Sequence, residues 1–417
     1  MTGRVKSTYF SFVETTAALL LLIYPTLMLV IKGGMNGVFL FMLLLALLVW
    51  AVRPVELNAV VWRREWTIYV AAMVAMSVAI FISQTFHQNY TGHPYDAATR
   101  YFLAIPVFLL LQRLRPKIFF VLQFAFPAAA IVGYLLAKDF GGGRSGISTM
   151  DVIRFGDFEL MLGVLSLFSI DWLGRDKLLL RIFKVSGFIA GLAASLDSGS
   201  RGGWMAIPVF FALFIYFKTG RLSLRMIVSM LIAGMLTFTL LYSFHTQFRQ
   251  RINVFEAEVV KFDQEFSSLT NRWRLFKAAV EIFSRHPIAG VGPEGFALEM
   301  QPMVDAGKLT PLDGMYGRGE VHNDILSKAA GMGVFGLLAI LAIYFVPFRL
   351  FWLATKSALA PIRGAGFLGL AFVSGFFVFG LTVEILNLTM ATAFYGFTVA
   401  VLLAACYNIH YDERTAQ

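Results

Sequence analysis

The chain has 417 residues, of which 58% are hydrophobic and only 14% charged, and its mean hydropathy is +0.72. That balance goes beyond what a water-soluble core of this length requires and excludes a soluble globular class. The formal net charge of +10 is spread over short connections without a clustered basic domain, so nucleic acid is not an expected partner.

About 20 apolar residues cross a hydrocarbon core roughly 30 Å thick. Runs of this kind predict spans near 13–31, 35–52, 66–86, 98–112, 117–137, 155–173, 182–196, 203–217, 226–244, 324–348, 364–384 and 387–407. Lipid offers no partner to a backbone N–H or C=O, and the apolar residues run continuously instead of alternating, so the spans are helices and not barrel strands. The expected fold class is an all-α membrane protein of about twelve transmembrane helices. Its expected divisions are 1–244 with the first nine spans, a large extracytoplasmic loop over 245–321, and 322–417 with the last three.

The first span follows Arg4 and Lys6, is long and lacks a small-residue cleavage site, which predicts a retained anchor with a cytoplasmic N-terminus. One set of connections carries Arg53, Arg63 and Arg64; Arg113, Arg115 and Lys117; Arg175, Lys177 and Arg181; Lys218, Arg221 and Arg225; and Arg349, Lys356 and Arg363. Those are the expected inside loops. The alternate connections are poor in Lys and Arg: 87–97 and 385–387 have none, and 138–154 sets Lys138, Arg144 and Arg154 beside aspartates. An even number of spans returns the C-terminus inside. Cys406 is the only cysteine, which rules out an intramolecular disulfide and a cysteine metal site.

Ionisable groups near membrane depth are costly and are read first as functional. Arg100, Arg154, Asp157, Glu159, Arg201 and Glu384 gather at the outer ends of spans and do not form a path across. The stretch Gly141-Gly142-Gly143-Arg144-Ser145-Gly146 lacks the lysine and spacing of a P-loop and reads as a flexible outer loop. His87, His93 and Asp96 share a connection without the spacing of a metal motif, and no HExxH occurs, so no metal site is expected. Arg201 stands in Ser198-Gly199-Ser200-Arg201-Gly202-Gly203. There it either snorkels or pairs with Asp197, or joins nearby backbone N–H groups in an anion site, where its planar fork suits phosphate oxygens. The glycine setting favours the anion site.

Within 245–321, helical periodicity runs from Leu269 to His286, with Thr270 as a candidate cap, Trp273, Phe276, Val280 and Phe283 on one face, and Pro287 as the stop. Arg272, Arg274, Lys277 and Arg285 decorate the rest. A flexible turn, Gly290-Val291-Gly292-Pro293-Glu294-Gly295, and a second amphipathic stretch, Glu294 to Ala306, follow. This pair is expected to lie on the bilayer surface as a lid over a cavity between spans. His322 opens the tenth span, with Asn323 as its N-cap candidate and Asp324 in the first turn. The cap would set the imidazole beside the positive end of a helix dipole and near arginines, available as a base. A hydrogen-bonded structural histidine is the alternative. Gly331, Gly333 and Gly336 permit close helix packing on the same span, which alone accounts for them.

His322-Asn323, nine residues, then Gly333-Val334-Phe335-Gly336 resembles the signature of the O-antigen ligase and polymerase superfamily. The order of Ser200-Arg201-Gly202, Arg272-Trp273, Gly290-Val291-Gly292 and a large loop between the ninth and tenth spans is similar too. The resemblance implies a multi-pass glycosyltransferase of the bacterial inner membrane with its active site facing the periplasm and both termini cytoplasmic. It implies an undecaprenyl-diphosphate-linked O-antigen donor, a lipid A–core oligosaccharide acceptor, surrounding membrane lipids, and no metal, nucleotide or other cofactor. His322 carries over as the catalytic histidine, Arg201 and Arg272 (or Arg274) as diphosphate-binding arginines with Arg154 as a further candidate, and Asn323, Gly333 and Gly336 as support. A polymerase or protein O-oligosaccharyltransferase of the same superfamily is the nearest rival. A lipid-linked-glycan flippase, expected to carry mid-membrane charges and a repeat, and a lipid-binding scaffold are the others.

Overall fold

The computed structural model describes residues 3–52, 62–140, 144–220, 223–260 and 267–411. Arg53, Arg221 and Gly141–Gly143, invoked above, lie outside the described residues. In chain order the helices are α1 (Gly3–Val30), α2 (Gly34–Val52), α3 (Arg64–His87), α4 (Tyr95–Leu111), α5 (Leu122–Leu136), α6 (Val152–Phe168), α7 (Leu178–Ser198), α8 (Arg201–Trp204), α9 (Ile207–Thr219), α10 (Leu224–Phe244), α11 (Thr246–Val260), α12 (Ser268–Arg285), α13 (Phe296–Asp305), α14 (Pro311–Gly317), α15 (Asp324–Ala354), α16 (Ala360–Gly380) and α17 (Thr389–Cys406). A hairpin not anticipated from the sequence pairs β1 (Lys138–Asp139) with β2 (Ser145–Gly146) in the connection before α6.

Among the described residues, 10 stretches are long and apolar enough to cross a membrane. The helices α4 and α6, at 17 residues each, occupy the positions expected for the fourth and sixth spans. The protein is a polytopic, all-helical membrane protein. α17 is buried from Ala391 to Cys406, at the centre of the bundle, whereas no described side chain of α10 is buried. In lipid such an all-apolar surface carries no penalty, because the solvent is itself apolar.

Small residues let α6 and α7 approach closely. A Cβ on Gly191 would lie 2.3 Å from the Glu159 carbonyl oxygen, and one on Gly163 would lie 3.1 Å from that of Phe188. The contact sets the start of α6, with Arg154, beside the end of α7, with Ser198 and the Arg201 turn. Glu159, expected with the outer-end charges, lies about two turns into α6; its buried carboxylate oxygens have no hydrogen-bond partner among the described residues.

The segment 245–321 forms α11 to α14, of which α11 and α14 were not anticipated. Ser267, not Thr270, caps α12: its Oγ accepts from the Thr270 N–H at 3.1 Å. The buried face of α12 is Leu275, Ala278, Ala279 and Ile282, while Trp273 and Val280 of the expected apolar face are exposed. That side is buried because α12 packs against α14 and the start of α15. Together with Phe296, Met300, Met303, Leu309, Val321 and Ala330 its residues form a second core, so this segment is a folded cap fastened to the bundle.

The fastening depends on a break in α15. Gly333 has φ 60° and ψ −148°, a region open essentially only to glycine. A helix interrupted in apolar surroundings must pair its freed backbone groups elsewhere. The loop after α12 supplies the partners: the Val334 N–H donates to the Pro287 carbonyl at 2.8 Å, and the Val291 N–H to that of Ala330 at 3.1 Å. Ser83 of α3 donates to the Ala289 carbonyl at 2.7 Å. The glycines expected to ease helix packing thus do something more specific. A Cβ on Gly333 would lie 2.3 Å from the Ile288 carbonyl oxygen and one on Gly290 2.3 Å from the Gly331 carbonyl carbon. One on Gly336 would lie 2.2 Å from the Lys328 carbonyl oxygen, so the chain on either side of the break lies side by side.

Gly333→Ala should therefore destabilise the detergent-solubilised protein by about 3 kcal/mol or more. Gly37→Ala, in α2 with no atom within 4 Å of the added Cβ, should be neutral or slightly stabilising. Thermal unfolding of both variants checks the contrast; equal transitions would rule out a strained break.

Candidate active site

His322 begins the site. The chain leaves α14, passes Gly319 and Glu320, and enters α15 through the Asn323 cap, whose Oδ1 accepts from the Leu326 N–H at 3.0 Å. His322 itself has φ 62°, a left-handed conformation uncommon for a side-chain-bearing residue. Its neighbours hold it there. The Val321 N–H donates to the Glu384 carboxylate, the Ser327 hydroxyl donates to the other Glu384 oxygen at 2.8 Å, and the Asn323 amide donates to the Leu381 carbonyl at 3.2 Å. Asp324 accepts from the Tyr344 hydroxyl at 2.7 Å and from the Leu386 N–H at 3.2 Å. The connection between α16 and α17 is thereby locked against the start of α15.

The turn brings His322 Nδ1 to 2.6 Å from Glu320 Oε1. The other Glu320 oxygen lies 3.4 Å from Arg154 Nη2, and Arg154 Nη1 donates to Asp151 at 2.7 Å. The sequence had set the imidazole among arginines alone; a carboxylate stands between. Burial pushes the Glu320 carboxyl up, but the His322 ring and Arg154 outweigh burial and hold it below its ordinary value. Glu320 lies against the Nδ1 edge of the ring, a contact without the alignment of a hydrogen bond among the described residues, and the opposite edge carries Nε2.

Arginines crowd beside this pair. Arg201 donates from Nη2 to Glu258 at 3.0 Å and to Ser268 at 3.3 Å, and Phe255 lies under its guanidinium. The pairing with Asp197 does not form; Asp197 lies 3.4 Å from His245. Ser200 donates to the buried Asp157 at 2.7 Å and fixes the turn that carries Arg201. Burial pushes the Arg272 guanidinium down, Glu320 opposes, and Arg201 adds repulsion. Among the described residues Arg272 makes no hydrogen bond or ion pair. Arg144, which donates to the Ser198 carbonyl at 2.8 Å, is pushed down by burial and by repulsion from Arg251, Arg201 and Arg272, while Asp151 opposes. Arg251 is lowered by burial and by Arg201. Buried Nη1 of Arg201 and Nε of Arg154 have no hydrogen-bond partner among the described residues. Crowded cations with unpartnered N–H groups suit an anion of several oxygens.

Arg274 stands apart from this cluster. Its Nη1 lies 2.9 Å from the buried Asp313 carboxylate, which also completes the capping box of α14 with Thr310, so its charge is committed to holding the cap together. Gly333 and Gly336 are at the helix break, away from the polar groups. Sequence reasoning missed Glu320, Arg144, Arg251 and Glu258. Glu320 stood two residues from the histidine, but only the left-handed turn at His322 lets it reach the ring. Among the described residues no group of three or more His, Cys, Asp or Glu side chains is placed to hold a metal ion.

The O-antigen ligase family model matches residues 186–341, the stretch that carries Arg201, Arg272, the glycine turn, Glu320, His322 and the α15 break. An uncharacterized protein of Haemophilus influenzae is 22% identical over 261 residues, covering 60% of this chain. The match spans 64% of that protein's length.

Two outcomes follow from the electrostatics. Arg274→Ala strands the buried Asp313 carboxylate and should lower stability by about 3 kcal/mol, whereas Arg272→Ala relieves repulsion and should leave the unfolding transition unchanged or raised; equal losses would overturn the division. Glu320, its carboxyl lowered in the folded state, stabilises above its unfolded value of about 4.3. That contribution is lost only as pH falls through the lower folded value. The stability gap between wild type and Glu320→Gln should therefore close as pH falls below about 4.3; a gap that persists unchanged below that pH contradicts the assignment.

Proposed function

Residues 186–341 being O-antigen ligase-like, we propose that this chain transfers a glycan from an undecaprenyl-diphosphate-linked donor to lipid A–core oligosaccharide. The reaction takes place at the periplasmic face of the bacterial inner membrane. The observation that carries the reading is the juxtaposition, at one end of the bundle, of arginine N–H groups unpartnered among the described residues with a histidine in contact with a carboxylate. The Lys and Arg distribution supports a reading with that end outside and both termini inside. Residues 1–244 and 322–417 then contribute the spans and 245–321 the periplasmic cap.

An acceptor hydroxyl attacks the anomeric carbon while His322 Nε2 takes its proton. The new glycosidic bond forms as the bond from the anomeric carbon to the phosphate oxygen breaks, and a single displacement inverts the centre. Arg154, Arg201 and Arg272 hold the diphosphate and stabilise the charge that develops on it as it leaves. This neutralisation is the task that Mg²⁺ performs in many transferases, and the energy comes from the donor's own bond, so neither metal nor nucleotide enters. Glu320 positions the ring and stabilises the imidazolium.

The test is transfer by purified protein in detergent with EDTA present, read as a gel shift of lipid A–core. Wild type should shift the acceptor. His322→Ala should fall by about 10²–10⁴-fold, Glu320→Gln by less, and Arg201→Ala should raise the KM for donor. A folded wild type that leaves this acceptor unmodified would overturn the ligase reading in favour of another acceptor, a growing glycan or a protein.

A further inference from the structure

We propose that a cavity lined by Glu320 and by none of the clustered arginines is a saccharide subsite that holds the acceptor; the inference rests on the transfer reading above. The cavity measures about 510 Å³, within the roughly 300–1,000 Å³ of small-molecule sites. It lies between the first turn of α4, the loop entering α13, the 317–321 turn, the first turns of α15 and the connection before α17. Neither His322 nor any arginine of the cluster lines it. Glu320 does, and the same carboxylate touches His322 and Arg154. That carboxylate therefore links the cavity to His322.

The charge of the lining selects its occupant. Asp96, Glu294, Glu320 and Glu384 face the cavity, against Lys328, Arg318 and His93. A diphosphate finds no clustered guanidinium here and meets carboxylates instead, so the two substrates sort themselves by charge. Several of these groups are committed to structure. Glu384 accepts from Val321 and Ser327. Glu294 accepts from Thr91 at 3.0 Å and lies 2.8 Å from His93 Nδ1, which latches the rim to the connection between α3 and α4.

Three side chains remain to meet a ligand. The exposed Asp96 carboxylate makes no hydrogen bond or ion pair among the described residues. Lys328 donates to Asn387 Oδ1 at 3.0 Å, which leaves further ammonium N–H groups and the Asn387 amide N–H groups. Acceptors and donors side by side match sugar hydroxyls, each of which both donates and accepts. Met76, Ile80 and Met332 supply an apolar wall for the C–H face of a pyranose. A saccharide seated here reaches past Glu320 to present a hydroxyl to His322.

A thiol placed in the cavity reads its occupancy without turnover. Cys406 is the only native cysteine and is buried, so Ala97→Cys, at a lining position, gives the full-length protein one accessible thiol. A delipidated core oligosaccharide should slow its maleimide labelling severalfold, and undecaprenyl diphosphate should not. In the transfer assay, Asp96→Ala and Asn387→Ala should each raise the KM for acceptor about tenfold and leave the donor KM within twofold. Protection by undecaprenyl diphosphate, protection by neither probe, or a donor KM that moves instead overturns the subsite. Oligosaccharide protection in a protein that makes no product would uphold the subsite and reject the transfer reading.

Discussion

A backbone interruption cannot stand unpaired in an apolar medium, and the break in α15 at Gly333 is the point on which the rest of the site depends. The chain between Pro287 and Val291 satisfies the freed groups on α15, and Ser83 of α3 holds that chain from the other side. Two distant parts of the sequence are registered by the same hydrogen bonds. α12, with Arg272, is tied to α15, which begins two residues after His322. The position of the arginine relative to the base is therefore set by buried backbone bonds and not by surface side chains that solvent could replace.

The second constraint is charge. Arginines gathered in a partly buried cluster repel one another, and the neighbouring carboxylates Asp151, Asp157, Glu258 and Glu320 offset part of that repulsion. Glu320 occupies the boundary. On one side it joins Arg154 and the arginine cluster; on the other it lines a cavity richer in carboxylates. In the proposed reaction a lipid diphosphate and a polar saccharide would be drawn to different neighbours of the same residue, and His322 lies beside it. A transferase needs such sorting, because a donor bound in the acceptor's place blocks the reaction.

The spans were legible because each needs only a local run of apolar residues, and a bilayer admits few alternatives to a helix. The outer-end arginines were legible because charge at membrane depth is costly enough to stand out. What the sequence concealed was set by distant contacts. Arg272 and Arg274 look alike in Asn271-Arg272-Trp273-Arg274, and only Asp313, 39 residues beyond Arg274, separates that structural arginine from Arg272, which makes no ion pair among the described residues. The buried face of α12 was misjudged because large apolar residues suggested it, while packing against α14 and α15 buried the side with Leu275, Ala278, Ala279 and Ile282. Gly333 read as a packing residue because its backbone conformation is invisible in its identity, and Glu320 was overlooked because its partner lies across a turn that few histidines adopt.

That turn gives the site its geometry. A left-handed histidine is held only if the residues on both sides are fixed, and here Val321 is bound to Glu384, Asn323 to Leu381 and to its own helix, and Asp324 to Tyr344 and Leu386. Relaxing φ at His322 would swing Glu320 away from the ring and release Arg154 in the same movement. Contact of Glu320 with the His322 ring, its contact with Arg154 and its place in the cavity wall thus depend on one backbone angle. A substitution in the α16–α17 connection, remote in sequence and touching neither substrate, would act on both halves of the site through that angle.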